Sequence, residues 1–320
     1  MRLPEAVLAR IEEVAEVTVC GSQGPPSREQ VIAGVRDVDG VLSSTVVPVD
    51  AEVLEAGQRL RVVSNFGVGF DHVDVGAATE RGILVTNTPD VLTDAVADLT
   101  LGLMLALARR IVEGALLVRE GRWIGWNVRL PLATDLRGKT LAIIGLGRIG
   151  AAVARRAQPF GLSVIYHDVR GEIAEAAGLA TYRPFDQALR EADIVSLHVN
   201  LTPETTRLIG ARELALMKPV AFLVNTSRGP VVDQRALYEA LRDGRLAGAA
   251  LDVTEPEPPD PADPLLQLSN VLVVPHIGSA TRETRAAMLD LAVRNLVAGV
   301  LGQRPPCLVN PEVWSKRRTP

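Results

Sequence analysis

Residues 139–150 read KTLAIIGLGRIG, and the fold of this chain turns on that stretch. Leu141, Ala142, Ile143 and Ile144 form an apolar run of strand length behind the polar Lys139-Thr140. Gly145, Gly147 and Gly150 follow in the spacing G-x-G-x-x-G, and an alanine-rich segment of helical character, residues 151–160, comes directly after. In a strand–turn–helix unit each glycine has its own task. The first permits the tight turn, the second lets a pyrophosphate approach the backbone, and the third lets the helix pack closely on the strand. The helix N-terminus then turns its N–H groups and positive dipole end toward the phosphates. Three glycines alone are a weak signal, since turns and close packing use them too. A second apolar run, residues 162–166, leads to Asp168, eighteen residues after Gly150, about where the pattern needs a carboxylate for ribose hydroxyls. The expectation is a dinucleotide site.

Outward from that unit, 320 residues suggest two domains. A chain 47% hydrophobic and 22% charged has ordinary globular composition, without a disordered bias. The net charge is −4, with basic residues scattered among acids, so neither nucleic acid nor a membrane surface is an expected partner. Cys20 and Cys307 are far apart and in no metal-ligand spacing, which implies reduced thiols, no metal and a cytoplasmic protein. The N-terminal residues alternate charged and apolar types at helical spacing, unlike a signal peptide. Residues 99–108 are the most hydrophobic window, too short to span a bilayer, and read as a buried helix.

Before the glycine motif, residues 1–87 alternate short strands (17–20, 40–42, 60–64, 83–86) with helices (29–35, 51–56, 75–80). Between them, residues 65–72 form a glycine-containing loop at a strand's C-terminal end, where open α/β sheets bind ligands. Residues 90–120 read as one long helix or two in line, and 121–136 as an irregular loop whose Trp123 and Trp126 suit core or interface packing. Beyond the motif, helices at 172–177, 185–191, 212–217 and 233–242 alternate with strands at 194–197, 221–224, 247–251 and 271–274. Five prolines make residues 255–264 a loop, and a last helix spans 282–301. The predicted fold is α/β: two Rossmann-like or flavodoxin-like parallel-sheet domains with a cleft between them. The substrate-binding domain takes residues 1–92 and 285–320, and the dinucleotide-binding domain residues 93–284.

Three polar residues follow successive predicted strands: Arg228 in Asn-Thr-Ser-Arg-Gly, Glu257 in a proline-rich turn, and His276 in Pro-His-Ile-Gly-Ser. In a parallel sheet all three junctions share one edge with the glycine loop. Arginine holds a carboxylate by two parallel hydrogen bonds. A histidine whose protonated form is favoured by a neighbouring carboxylate gives a new hydroxyl its proton, while a nicotinamide supplies hydride. Taken singly, each residue has a plain alternative as a surface arginine, a solvated loop glutamate or a structural histidine. Their joint placement favours a 2-oxoacid reduction site.

These motifs resemble the D-isomer-specific 2-hydroxyacid dehydrogenases over nearly the whole chain, through residues 145–150, 225–229, 250–258 and 275–280. The wording of residues 68–99 looks most like the glyoxylate/hydroxypyruvate reductase branch. The resemblance implies catalytic roles for Arg228, Glu257 and His276, with Glu257 rather than Glu255 as the acid because it lies five residues after Asp252. It implies that Gly145, Gly147, Arg148, Ile149, Gly150, Asp168, Thr226, Ser227, Asp252 and Gly278 hold the cofactor, with Asp252 at the nicotinamide amide. Backbone N–H groups of Val68 and Gly69, with Arg228, take the carboxylate of a small 2-oxoacid. Such enzymes are typically homodimers joined through the long helix. Asp168, followed by Val169, favours NAD(H) over NADP(H), although Arg170 lies two residues on. Two positions depart from the family's pattern. Asn200 replaces a proline, and Leu130 stands where close relatives often carry an aromatic residue. Alternatives are a short phosphoglycerate dehydrogenase and a dinucleotide-sensing corepressor-like protein.

Overall fold

The computed structural model describes residues 4–21, 24, 26–45, 47–126 and 132–319. They gather into two compact units, Met1–Leu92 with Thr281–Pro320, and Thr93–Ala280.

The first unit opens with helices α1 (Glu5–Glu12) and α2 (Arg28–Val35), then alternates β1 (Gly40–Ser44), α3 (Ala51–Ala56), β2 (Val62–Phe66), α4 (Val75–Glu80) and β3 (Leu84–Thr86). The helices start where a side chain can take an orphan N–H: Ser27, Asp50 and Asp74 accept from Gln30, Val53 and Ala77 at the starts of α2, α3 and α4. The strands form a parallel sheet in the order β1-β2-β3. Val53, Leu54, Leu60, Val63, Ile83 and Val85 belong to one buried cluster of this unit. Residues 17–20 were expected to be a further strand, and they are not. Val19 there is exposed and the stretch joins no sheet, so an apolar run without a pairing edge stays irregular.

In the second unit the stretch expected to be one long helix or two in line is two, α5 (Thr93–Ala108) and α6 (Ile111–Arg119), interrupted where Arg110 takes the left-handed conformation (φ 54°). There follow β4 (Thr140–Ile144), α7 (Arg148–Ala157), β5 (Ser163–His167), β6 (Thr181–Tyr182), α8 (Phe185–Glu191), β7 (Ile194–Leu197), α9 (Ala211–Leu216), β8 (Phe222–Asn225), α10 (Gln234–Arg242), β9 (Gly248–Leu251) and β10 (Val271–Val273). The helix expected at 172–177 shrinks to one 3₁₀ turn, Ala174–Ala176, before the unexpected short strand β6. All strands pair in parallel, in the order β10-β9-β8-β7-β4-β5-β6. The order reverses at β4, where Ile144 pairs with His167 on one side and Leu197 on the other. That reversal is the topological switch point at which such sheets bind ligands.

Both faces of this sheet are covered. On β4, Ala142 and Ile144 join one core with Leu189, Leu214 and Leu237, while Leu141 and Ile143 join another with Leu101, Met104, Ala152 and Val153. Alternation with two apolar faces is what a parallel strand between helical layers requires. The chain returns to the first unit through α11 (Arg282–Val300), capped by Thr281. The backbone of α11 comes so close to β2 that a Cβ on Gly299 would lie 2.6 Å from Val62 Cβ, and Ser64 Oγ donates to Ala292 O at 2.7 Å. Among the described residues no helix is long and apolar enough to cross a membrane.

Candidate active site

At the switch point the three glycines show three distinct physical needs. Gly145 has φ 92°, and a Cβ there would sit 2.8 Å from His198 O. A Cβ on Gly150 would lie 2.3 Å from Gly145 O, so α7 rests directly on the turn. A Cβ on Gly147 would meet nothing within 4 Å beyond its chain neighbours, which leaves its backbone approachable. Gly147 is also the N-cap of α7 with no side-chain cap, so the positive end of the helix, with the N–H of Ile149 in its first turn, faces the glycine turn. These features fit a dinucleotide pyrophosphate.

Asp168 directly follows β5 and lies almost wholly buried beside that turn. Its Oδ2 accepts from Leu146 N (3.0 Å) and Arg170 Nη2 (2.9 Å), and its Oδ1 from Arg170 N (3.0 Å) and Nε (2.8 Å). The Arg170 fork, with backbone N–H support, lowers this carboxyl to about 2 despite its burial. A carboxylate has roughly four lone-pair sites, and here four donors fill them. Two of those four donors belong to the Arg170 guanidinium. Val169, between them, is 94% exposed. Across the switch point, burial pushes the His198 imidazole down to about 3, and it is neutral. Asn200, in the same segment, is exposed and its carbonyl accepts from Thr205 Oγ1 at 2.6 Å.

After β8 the chain turns sharply. Asn225 Oδ1 accepts from both N (3.0 Å) and Oγ (2.7 Å) of Ser227, while its Nδ2 donates to Arg228 O at 2.8 Å. Thr226 Oγ1 lies 3.1 Å from Thr100 Oγ1 of α5. A Cβ on Gly229 would fall 1.9 Å from Thr254 O, so only glycine lets this turn lie against the one after β9. Arg228 is half-buried on that turn, with Nη1 donating to Ser227 O at 2.8 Å.

The turns after β9 and β10 bring Glu257 and His276 together. His276 Nδ1 lies 2.5 Å from Glu257 Oε1, and the imidazole keeps about a third of its surface exposed. Glu255 does not share this role; its N–H is held by Gln234 Oε1 at 3.0 Å. His276 has φ 50°, a sparsely populated backbone state for a residue with a Cβ. Asp252 imposes it. Its carbonyl accepts from His276 N (2.9 Å), its Oδ1 from Ile277 N (2.6 Å) and its Oδ2 from Gly278 N (2.8 Å). Burial raises the Asp252 carboxyl above the ordinary aspartate range, and the backbone N–H groups of Ile277 and Gly278 work against that rise. This clamp and the Arg170 fork on Asp168 were not foreseen from sequence, because both depend on which atoms face each other across turns.

In the first unit, Val68 and Gly69 lie in the loop after β2. Asn65 Nδ2 donates to Gly67 O (3.0 Å) and Gly69 O (2.8 Å), and Asn87 Nδ2 to Val68 O (2.8 Å). Neither asparagine was singled out in the sequence; their place at the ends of β2 and β3 was the available signal. Leu130 lies outside the described residues. Trp123 and Trp126 are exposed, so of the two packing roles expected for them a place in this chain's core is ruled out.

Residues 101–278 match the family model described as D-isomer specific 2-hydroxyacid dehydrogenase, NAD binding domain. Over 317 residues the chain is 50% identical to a glyoxylate reductase of Korarchaeum cryptofilum, covering 98% of this chain and 96% of that one. A glyoxylate reductase of Pyrococcus furiosus is 47% identical over 321 residues, covering 99% and 95%. Among crystal structures, a protein from Thermus thermophilus superposes with a TM-score of 0.89 at 47% identity, over 96% of this chain and 97% of that one. The NADPH-dependent glyoxylate/hydroxypyruvate reductase of Sinorhizobium meliloti, solved with NADP and malonate, gives 0.87 at 38% identity, over 100% and 97%.

Proposed function

The chain belongs to the D-isomer specific 2-hydroxyacid dehydrogenases, oxidoreductases that use a nicotinamide dinucleotide, and from that premise we propose that it reduces a small 2-oxoacid of the glyoxylate/hydroxypyruvate type to the D-2-hydroxyacid. The observation that carries this reading is the His276–Glu257 pair on the same strand-end edge as the glycine cradle. When bound, the nicotinamide supplies a hydride to the carbonyl carbon. The protonated imidazole of His276 gives its proton to the carbonyl oxygen, and Glu257 stabilises the charge that this proton brings. Arg228 takes the substrate carboxylate with its fork. The backbone N–H groups of Val68 and Gly69 are assigned to the same carboxylate, and Thr226, Ser227, Asp252 and Gly278 to the cofactor, on the strength of the family resemblance.

We assign NADH as the preferred cofactor. Asp168 repels a ribose phosphate, and Arg170 is committed to Asp168 rather than presented to an incoming anion. We further propose a homodimer joined through α6, where Ile111, Val112, Leu116 and Val118 are all exposed and none of the residues is buried by the chain itself. Neither cysteine is in a disulfide, which supports a cytoplasmic enzyme.

The test is steady-state reduction of glyoxylate, hydroxypyruvate, pyruvate, 2-oxobutyrate and phosphohydroxypyruvate by the purified protein with NADH. The expected result is a higher kcat/KM on glyoxylate or hydroxypyruvate than on the rest. A preference for phosphohydroxypyruvate, or no turnover of any 2-oxoacid, contradicts the reading.

A further inference from the structure

We propose that Asn65 and Asn87 are positioning residues that aim the backbone of residues 67–70 at the substrate carboxylate. The inference rests on the reading that the substrate is a 2-oxoacid. In a trans peptide the C=O and the following N–H point in opposite directions. Fixing a carbonyl on one side of a loop therefore fixes the next N–H on the other. Three successive carbonyls are fixed in this way. Gly67 O accepts from Thr88 N (3.0 Å) and Asn65 Nδ2 (3.0 Å), Val68 O from Asn87 Nδ2 (2.8 Å), and Gly69 O from Asn65 Nδ2 (2.8 Å). The N–H groups of Val68, Gly69 and Phe70 are thereby turned away from those donors, and among the described residues none of the three donates to a protein acceptor. Successive outward N–H groups form an anion-binding concavity that needs no charged side chain.

The two asparagines are themselves held. Asn65 is fully buried within β2. Asn87 O accepts from Asn295 Nδ2 at 3.0 Å, and the fully buried Asn295 accepts in turn from Cys307 N at 3.0 Å through its Oδ1. The C-terminal helix α11 thus braces the loop through a relay of side-chain amides. An amide suits this task because it donates to a carbonyl without bringing charge beside a site meant for an anion. Neither side chain need touch the substrate. Their effect passes through the direction of the peptide planes.

The experiment compares the unmodified protein with Asn87→Ala, and with Asn65→Ala where that variant folds. The readouts are KM and kcat for the preferred 2-oxoacid, inhibition by oxamate, and NADH affinity by fluorescence titration. Losing one oriented N–H to a carboxylate corresponds to about a ten-fold change or more. KM and the oxamate inhibition constant are expected to rise together by about that factor in Asn87→Ala. NADH affinity should stay within about two-fold and kcat should fall by less than KM rises. A merely structural role would instead lower the melting temperature with no selective effect on carboxylate ligands. Unchanged KM and oxamate inhibition in an active Asn87→Ala overturn the positioning role and leave the proposed reaction intact. If the unmodified protein turns over no 2-oxoacid, yet oxalate raises its melting temperature and raises that of Asn87→Ala much less, the proposed reaction fails and the positioning role stands. An equal oxalate effect on both proteins overturns the positioning role as well.

Discussion

At Asp168 one carboxylate holds the Arg170 guanidinium with both of its oxygens. The sequence placed an acid there and left Arg170 as the complication; the structure shows the arginine clasped onto the acid. Asp168→Ser removes both the repulsion of a ribose phosphate and the anchor on Arg170. The ratio of kcat/KM for NADPH to that for NADH is expected to rise ten-fold or more in Asp168→Ser, and further with Val169→Arg. A higher kcat/KM for NADPH than for NADH in the unmodified protein contradicts this account of Asp168. The same pair has a signature in stability. Asp168 sits at about 2 in the folded protein, below its unfolded value near 3.9, so its stabilisation is present above about pH 4 and is lost as pH falls toward 2. The stability gap between the unmodified protein and Asp168→Ser, from urea unfolding, should therefore narrow between pH 5 and pH 3. A gap independent of pH means that the ion pair stabilises nothing.

Elements differ in how openly their residues declare them. The β4–α7 unit was legible because each glycine answers a local need: a left-handed turn at Gly145, open backbone at Gly147 and contact with a carbonyl at Gly150. Strands with two apolar faces were legible for the same reason, since burial on both sides leaves a continuous hydrophobic run. Residues 17–20 carried an equally strand-like composition without a neighbouring edge, which sequence cannot show. The break between α5 and α6 rests on the conformation of Arg110, and no glycine or proline marks it. Helix α6 leaves Ile111, Val112, Leu116 and Val118 exposed. Replacing Val112 and Leu116 together by Glu should convert a dimer to a monomer in light scattering without changing the melting temperature much, because neither side chain is buried in this chain. An unmodified protein that runs as a monomer removes the proposed interface.

For the whole molecule, function depends on turns that the sheet order brings onto one edge. Arg228, Glu257 and His276 lie 29 and 19 residues apart along the chain, yet they follow the adjacent parallel strands β8, β9 and β10. Their candidacy was legible from strand-to-turn spacing. The clamp by which Asp252 holds His276 in its strained backbone state was not, since it joins a carboxylate to N–H groups more than twenty residues away. The central claim is that the imidazole of His276, held by Glu257, supplies the proton in reduction. Its most direct test is kcat/KM for 2-oxoacid reduction in the unmodified protein, in His276→Ala and in Glu257→Gln. Loss of the proton donor should lower kcat/KM by about 10²–10⁴-fold in His276→Ala. Glu257→Gln keeps the shape of the side chain but removes the anion beside the imidazole, so it should lower kcat/KM as well, with NADH affinity unchanged. Undiminished kcat/KM in either variant contradicts the pairing on which the account rests.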